Sequence, residues 1–88
     1  MAACKVKFTA QFPGAERVFL TGDFSGWDPE ARRMKRVRRG EDSFVATVHL
    51  EPGCYEFKYV LDGEWVCDPH LPRVANGLGV ENSVIEVG

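Results

Sequence analysis

One tryptophan and one lysine beside a predicted hairpin turn are the residues of this chain best suited to ligand chemistry. Asp62-Gly63 separates two runs of alternating polar and apolar residues. This pair favours a two-residue type I′ turn, which needs positive φ at both central positions. The turn sets Val60 opposite Trp65 and places Lys58 one diagonal step from the indole. A ligand with apolar C–H faces and a rim of hydroxyl groups, such as a sugar, fits these two side chains.

The other face of the same hairpin is predicted to belong to the hydrophobic core. Successive side chains alternate between the two faces of a strand, so the register also sets Lys58 opposite Cys67. The outer set is Lys58, Val60, Trp65 and Cys67, and the core set is Tyr55, Phe57, Tyr59, Leu61 and Val66. If Trp65 turned inward, the aromatic core set would face water, and we therefore predict that its indole lies outside the core.

The remaining chain reads as short strands joined by turns. Residues 5–12 alternate, with Val6, Phe8, Ala10 and Phe12 predicted to point inward. Further strands are predicted over residues 17–23, 34–38, 44–50 and 83–87, with a brief helical turn at 30–32 and a long loop from 70 to 80. Seven short strands without a stable helix predict an all-β fold, an antiparallel β-sandwich.

Composition narrows the class of protein. The 88 residues form one predicted domain, 1–88, and the 44% hydrophobic content argues against disorder. No apolar run approaches the ~20 residues that cross a bilayer, and the first residues lack a signal-peptide apolar block, so we expect a cytoplasmic protein without membrane contact. The net charge of −2 gives no general attraction for nucleic acid. Cys4, Cys54 and Cys67 are an odd number without metal-type spacing, which predicts free thiols.

Residues 32–39 hold six of the eleven basic residues of the chain. Two interpretations of this basic segment stay open. The charges belong to a solvated strand and turn, where they discourage edge-to-edge pairing of sheets, or they form a site for an anion.

Catalysis has little support in the sequence. A glycosidase needs two carboxylates flanking a cleft, one of them with a raised pKa. His49 and His70 lack the spacing of a metal site, and we expect neither an enzyme nor a cofactor. The candidate carboxylates lie at strand ends and turns, where acidic residues are common: Asp23, Asp28, Glu64 and Asp68.

Several blocks of the chain together resemble a known family. In order and spacing, residues 18–27, 44–46, 53–65, 68–69 and 78–85 are similar to the glycogen-binding carbohydrate-binding module of family forty-eight. This module occurs in the beta subunit of AMP-activated protein kinase, in plant starch-related phosphatases and before the catalytic domains of branching and debranching enzymes. The similarity extends from about Val18 to Val87.

The resemblance implies an immunoglobulin-like, early-set sandwich that binds α-1,4-linked glucans without catalysis, with an enzyme or kinase as a possible partner. It implies stacking by Trp27 and Trp65, hydrogen bonds from Lys58 and Asn82, and an apolar contact from Leu78. In this chain valine stands at position 80, where the family often has threonine, and Gly26 replaces a more usual asparagine.

Two alternatives accompany this reading. Trp27 lies in a loop bounded by glycine and proline, and capping the end of the core is as consistent with its sequence context as contacting a ligand. The same sandwich would also serve as a protein-interaction module, with both tryptophans as interface anchors and segment 32–39 contacting an acidic partner.

Overall fold

Two antiparallel sheets packed face to face make up the structure, a computed structural model that describes residues 3–75 and 81–88. The described strands are β1 (Cys4–Gln11), β2 (Val18–Gly22), β3 (Arg32–Arg33), β4 (Lys35–Arg36), β5 (Ser43–Leu50), β6 (Gly53–Leu61), β7 (Glu64–Val66), β8 (Arg73–Ala75) and β9 (Glu81–Val87). The small sheet has the order β1-β5-β4, and the large sheet has the order β3-β2-β6-β9-β8, with β7 also paired to β6. The predicted all-β antiparallel sandwich is confirmed. Among the described residues, no helix is long and apolar enough to cross a membrane.

Aromatic rings join the two sheets in the core. Phe8 of β1 packs edge-on against Phe57 of β6 at 5.0 Å between ring centroids, and Phe12 contacts Tyr59 at 5.2 Å. Phe57 and Tyr59 are fully buried. The alternation predicted for residues 5–12 and 44–50 is confirmed, because the inward side chains of both strands belong to this core and the outward ones face solvent.

The central hairpin has the predicted turn. Asp62 and Gly63 adopt φ values of 48° and 91°, as a type I′ turn requires. Three of the expected residue pairs form across the hairpin: Val60 with Trp65, Leu61 with Glu64 and Tyr59 with Val66. The expected pair of Lys58 with Cys67 is wrong, because β7 ends at Val66 and the Cys67 thiol instead donates to the Glu81 carbonyl at 3.2 Å.

Three other predictions differ from the structure. The helical turn is a 3-10 turn at Asp23–Ser25, where Ser25 Oγ accepts from the Gly22 N–H at 3.0 Å. Of the strand predicted over residues 34–38, only β4 at Lys35–Arg36 forms. A separate strand, β3, precedes it at Arg32–Arg33, and the chain changes sheets at the buried Met34 between them. Residues 73–75 form β8 on the edge of β9, although a three-residue strand is too short to show a periodic pattern.

Asp62 ties the hairpin turn to the loop between β1 and β2. Its carboxylate accepts hydrogen bonds from the backbone N–H groups of Arg17 at 2.8 Å and Glu16 at 3.2 Å. The Asp62 N–H in turn donates to the Arg17 carbonyl at 2.9 Å. These hydrogen bonds, first that from Arg17 and then that from Glu16, lower the pKa of Asp62 because they stabilise its charged form.

The lowered pKa makes the contribution of Asp62 to stability dependent on pH. A carboxyl whose pKa is lowered on folding stabilises the fold above its unfolded pKa of ~3.9 and loses that contribution as pH falls through the folded value. We expect Asp62→Asn to be less stable than wild type at pH 7, with a difference that shrinks below about pH 4. Urea unfolding from pH 7 to pH 2 measures this, with Glu64→Gln in the same hairpin as control. A deficit equal at every pH would contradict the expectation.

Gly22 ends β2 where no space exists for a side chain. A Cβ here would lie 2.5 Å from the Glu56 carbonyl oxygen and 2.9 Å from the Cβ of Phe57. Its φ of 176° is ordinary extended backbone, so the demand for glycine is steric. We expect Gly22→Ala to lower the free energy of unfolding by about 1–3 kcal/mol, because β2 must move away from β6. Chemical denaturation measures this change.

Gly26 provides the matched control for that substitution. Its φ is 65°, and a Cβ there would meet nothing within 4 Å. Asparagine tolerates this left-handed conformation, so Gly26→Asn should change stability by less than about 1 kcal/mol. Equal losses in Gly22→Ala and Gly26→Asn would refute the steric explanation.

Candidate functional site

The outer face of the large sheet, turned away from the small sheet, carries a row of apolar side chains. Phe19 pairs with Val60, and Val60 pairs with Trp65, so the three side chains lie side by side on adjacent strands. Trp65 is 41% exposed, and its predicted position outside the core is confirmed. Val60 is only 3% exposed although it lies outside the core cluster. The large side chains of its two strand neighbours, Phe19 and Trp65, flank Val60 on this face.

Lys58 follows this row along β6. It lies two residues from Val60 on the same face, about 7 Å away along the strand, and is opposite Thr21 of β2. Its side chain is half-buried. The structure therefore keeps Lys58 on the face of Trp65, as the hairpin register predicted.

Trp27 lies in the loop that follows β2 and is tied back to its start. Its backbone N–H donates to the Gly22 carbonyl at 3.2 Å, and its indole Nε1 donates to Asp23 Oδ1 at 3.2 Å. The residue has a φ of 61°, a conformation that non-glycine residues seldom adopt. Trp27 is half-buried and is not part of the core cluster found among the described residues. Of its two sequence interpretations, the structure therefore disfavours a cap on the core.

A chain of hydrogen bonds connects the Trp27 loop to β9. Asp23 accepts from the indole through Oδ1 and from the backbone N–H of Glu56 through Oδ2 at 2.9 Å. Glu56 Oε1 accepts from Asn82 Nδ2 at 3.1 Å. Asn82 is 7% exposed. Glu56, which joins the Trp27 loop to Asn82, lies about 13 Å along β6 from the row of Trp65. Ser83 pairs with Phe57, so Asn82 comes level with Lys58, about 7 Å from that row.

Lys58, Trp65 and Asn82 thus lie on one face, and hydrogen bonds through Asp23 and Glu56 tie the Trp27 loop to it. Asn82 lies beside Lys58, because its neighbour Ser83 pairs with Phe57. Leu78 lies outside the described residues, as does the valine at position 80. The roles of all five toward a sugar stay predictions.

Three further residues were not predicted from the sequence to take part in this site, although Asp23 was considered as a catalytic carboxylate. Phe19 extends the apolar row, while Asp23 and Glu56 fix the loop and the Asn82 amide. Asp23 and Glu56 are 33 positions apart, and the pairing of β2 with β6 is also remote in sequence. In β2, Phe19 alternates with the buried Leu20 and so points to the other face. This alternation was the one local signal that Phe19 belongs to the outer face.

Asp68 is a buried carboxylate that accepts hydrogen bonds from neighbouring groups of the fold. Asp68 Oδ2 accepts from the Tyr59 hydroxyl at 2.9 Å, and its Oδ1 accepts from the His70 N–H at 2.8 Å. Burial and the neighbouring Asp68 raise the pKa of Tyr59, which keeps the phenol protonated as a donor. Within residues 3–75 and 81–88, no group of three or more histidine, cysteine, aspartate or glutamate side chains is arranged to hold a metal ion.

Comparisons with known proteins agree with this architecture. A solved maltogenic amylase from S. marinus superposes on 96% of this chain with a TM-score of 0.75 and 23% identity, and the superposed part is 13% of that chain. This likeness concerns the fold alone. Among curated proteins, FLOURY ENDOSPERM 6, chloroplastic, of Oryza sativa subsp. japonica is 45% identical over 83% of this chain and 13% of its own length. The 5'-AMP-activated protein kinase subunit beta-1 of Sus scrofa is 34% identical over 84% of this chain and 57% of its own length.

The family comparison covers nearly the whole sequence. Residues 4–88 match the family described as the glycogen recognition site of AMP-activated protein kinase. That range includes both sheets and every candidate site residue. The chain therefore belongs to this family of glycogen-recognition domains.

Proposed function

We propose that this chain binds α-1,4-linked glucans, such as glycogen, starch-like polymers and maltooligosaccharides, and catalyses no reaction on them. The observation that carries the proposal is the 41% exposure of Trp65 on a sheet face that also carries Lys58. Membership of the glycogen-recognition family supports the same ligand class. The carboxylates Asp23, Asp62 and Asp68 support a binding role rather than catalysis, because each accepts hydrogen bonds that stabilise the fold.

The chemistry of the outer face suits a pyranose chain. An aromatic ring covers the C–H face of a sugar and leaves the hydroxyl groups at its rim, where Lys58 and Asn82 would bond them. Trp27 provides a second stacking surface at the other end of the face, and Leu78 an apolar contact. Because hydroxyl groups lose water on binding, their hydrogen bonds add little net free energy, so affinity depends mainly on the indoles. We expect dissociation constants of about 1 μM to 1 mM for short oligosaccharides, with tighter binding to long polymers through multivalency.

We further propose that glucan binding brings an attached or associated enzyme to its polysaccharide. The chain spans 13% of the rice relative and 57% of the pig kinase subunit, so in both relatives the matching region is accompanied by further sequence. A kinase or a glucan-modifying enzyme is the class of partner that this arrangement favours.

Replacing Trp65 tests the main stacking contact. We expect Trp65→Ala to weaken binding of maltoheptaose by about 10-fold or more, since both the ring contact and its buried area are lost. Isothermal titration calorimetry measures this, and circular dichroism reports the fold. Val37→Ala, a substitution of another exposed apolar residue, is the control and should bind as wild type does. Undiminished binding by a folded Trp65→Ala would contradict the proposal.

Replacing Lys58 tests the polar contact separately. Lys58→Met keeps the length and apolar stem of the side chain but removes the ammonium donor. We expect about 3- to 10-fold weaker maltoheptaose binding, the net value of one ordinary hydrogen bond, because the sugar hydroxyl loses water when it binds. Lys5→Met, on the exposed side of β1 in the small sheet, removes the same charge elsewhere and should leave affinity unchanged. Equal affinities of the two variants would exclude Lys58 from the site.

A further inference from the structure

Five of the six basic side chains of segment 32–39 fall into two groups. Arg36 is used by the fold: its guanidinium donates to the carbonyls of Ala15, at 2.9 Å, and Glu41, and lies 4.7 Å above the ring of Phe44. Arg38 lies 4.0 Å from the Glu41 carboxylate at the surface. These two arginines therefore have internal partners.

The second group lines a groove at the edge of the sandwich. Arg32, Arg33 and Lys35 share this groove of about 270 Å³ with residues 45–47 of β5. We call it the cationic groove. Strand β4 pairs only with Phe44 and Val45 of β5. The residues of β5 that follow Val45 therefore have no strand partner on this side within the described chain.

Among the described residues, the charges of the cationic groove have no internal counter-ion. The single ion pair found between described residues is that of Arg38 with Glu41. Glu16 lies on the adjoining groove, which Arg33 and Lys35 also line, yet it is not within ion-pair distance of either. Three neighbouring cations without a partner repel one another and attract an anion. Two guanidinium groups favour a phosphate, because their planar donors bond its oxygens in pairs.

The cationic groove lies at the end of the apolar row. Arg33 pairs with Phe19, Phe19 with Val60, and Val60 with Trp65. Three strand spacings, roughly 14 Å, therefore separate Arg33 from Trp65. A glucan stacked on Trp65 and lying across the strands passes over Phe19 and reaches Arg33.

We propose that the cationic groove binds a phosphate monoester carried by an α-glucan whose neighbouring glucose units lie along the row from Trp65 to Phe19. This inference rests on the proposed glucan binding and adds a preference for phosphorylated chains. A neutral glucan occupies the row and leaves the three cations hydrated. A phosphoglucan fills both the row and the cationic groove. Arg32 and Arg33 are therefore the residues that distinguish the phosphorylated ligand from the neutral one.

The test compares maltoheptaose with maltoheptaose phosphorylated at one 6-hydroxyl. We expect wild type to bind the phosphorylated form about 5- to 20-fold more tightly at low salt, and the preference to decrease as ionic strength rises. The double substitution Arg32→Gln/Arg33→Gln should abolish the difference between the two ligands. Arg38→Gln/Arg39→Gln removes the same charge from the same segment outside the groove and should retain the difference. Calorimetry measures all six affinities, those of three proteins for two ligands.

Two further titrations make the outcomes distinguishable. Inorganic phosphate should shift the amide resonances of residues 32, 33 and 35 in wild type, whether or not a glucan binds. Equal affinities for the two oligosaccharides, with maltoheptaose still bound, would overturn this inference alone, whereas failure to bind either would overturn the proposed function. The second titration uses a phosphoserine peptide. If it binds as tightly as the phosphorylated oligosaccharide and loses affinity in Arg32→Gln/Arg33→Gln, the inference that the phosphate belongs to a glucan is wrong.

Discussion

The register of the β6–β7 hairpin is the constraint on which the rest of the structure depends. Its turn at Asp62-Gly63 assigns every side chain of β6 to one of two faces. Phe57 and Tyr59 point into the core and pack against the small sheet, while Val60 and Trp65 point outward. A shift of one residue would bury Trp65 and expose the aromatic core, so the stability of the domain and the exposure of its candidate binding face have the same cause.

Strand β6 also organises the site through its neighbours. On one side it pairs with β2, whose last residue, Gly22, approaches β6 too closely for a side chain and starts the loop that carries Trp27. On the other side it pairs with β9, and Glu56 bonds Asn82 across that pair. Because Asp23 joins the Trp27 indole to the backbone of Glu56, the loop and both flanking strands are held relative to one rigid element, which favours a preformed ligand face.

The sequence predicted those parts of the fold that depend on local patterns. The alternation of β1, β5 and β6 and the turn residues Asp62-Gly63 are local signals, and they were sufficient for the hairpin register, the core faces and the exposure of Trp65. The pairing of Phe19 with Val60 and the hydrogen bond between Asp23 and Glu56 join residues far apart in sequence, and no local period encodes them. The short strand β8 and the change of sheet at Met34 are too brief for a pattern. The cytoplasmic location stays a prediction.

The domain belongs to an established family of glycogen-recognition domains. The contact on which its proposed function depends most is the stacking of the Trp65 indole on a glucose ring. Titration of Trp27→Phe with a cyclic α-1,4-glucan, followed by fluorescence, tests this most directly, because Trp65 is then the single tryptophan of the chain. The account predicts a saturable change in emission with the dissociation constant that calorimetry gives. Calorimetric binding without any change in the Trp65 emission would contradict it.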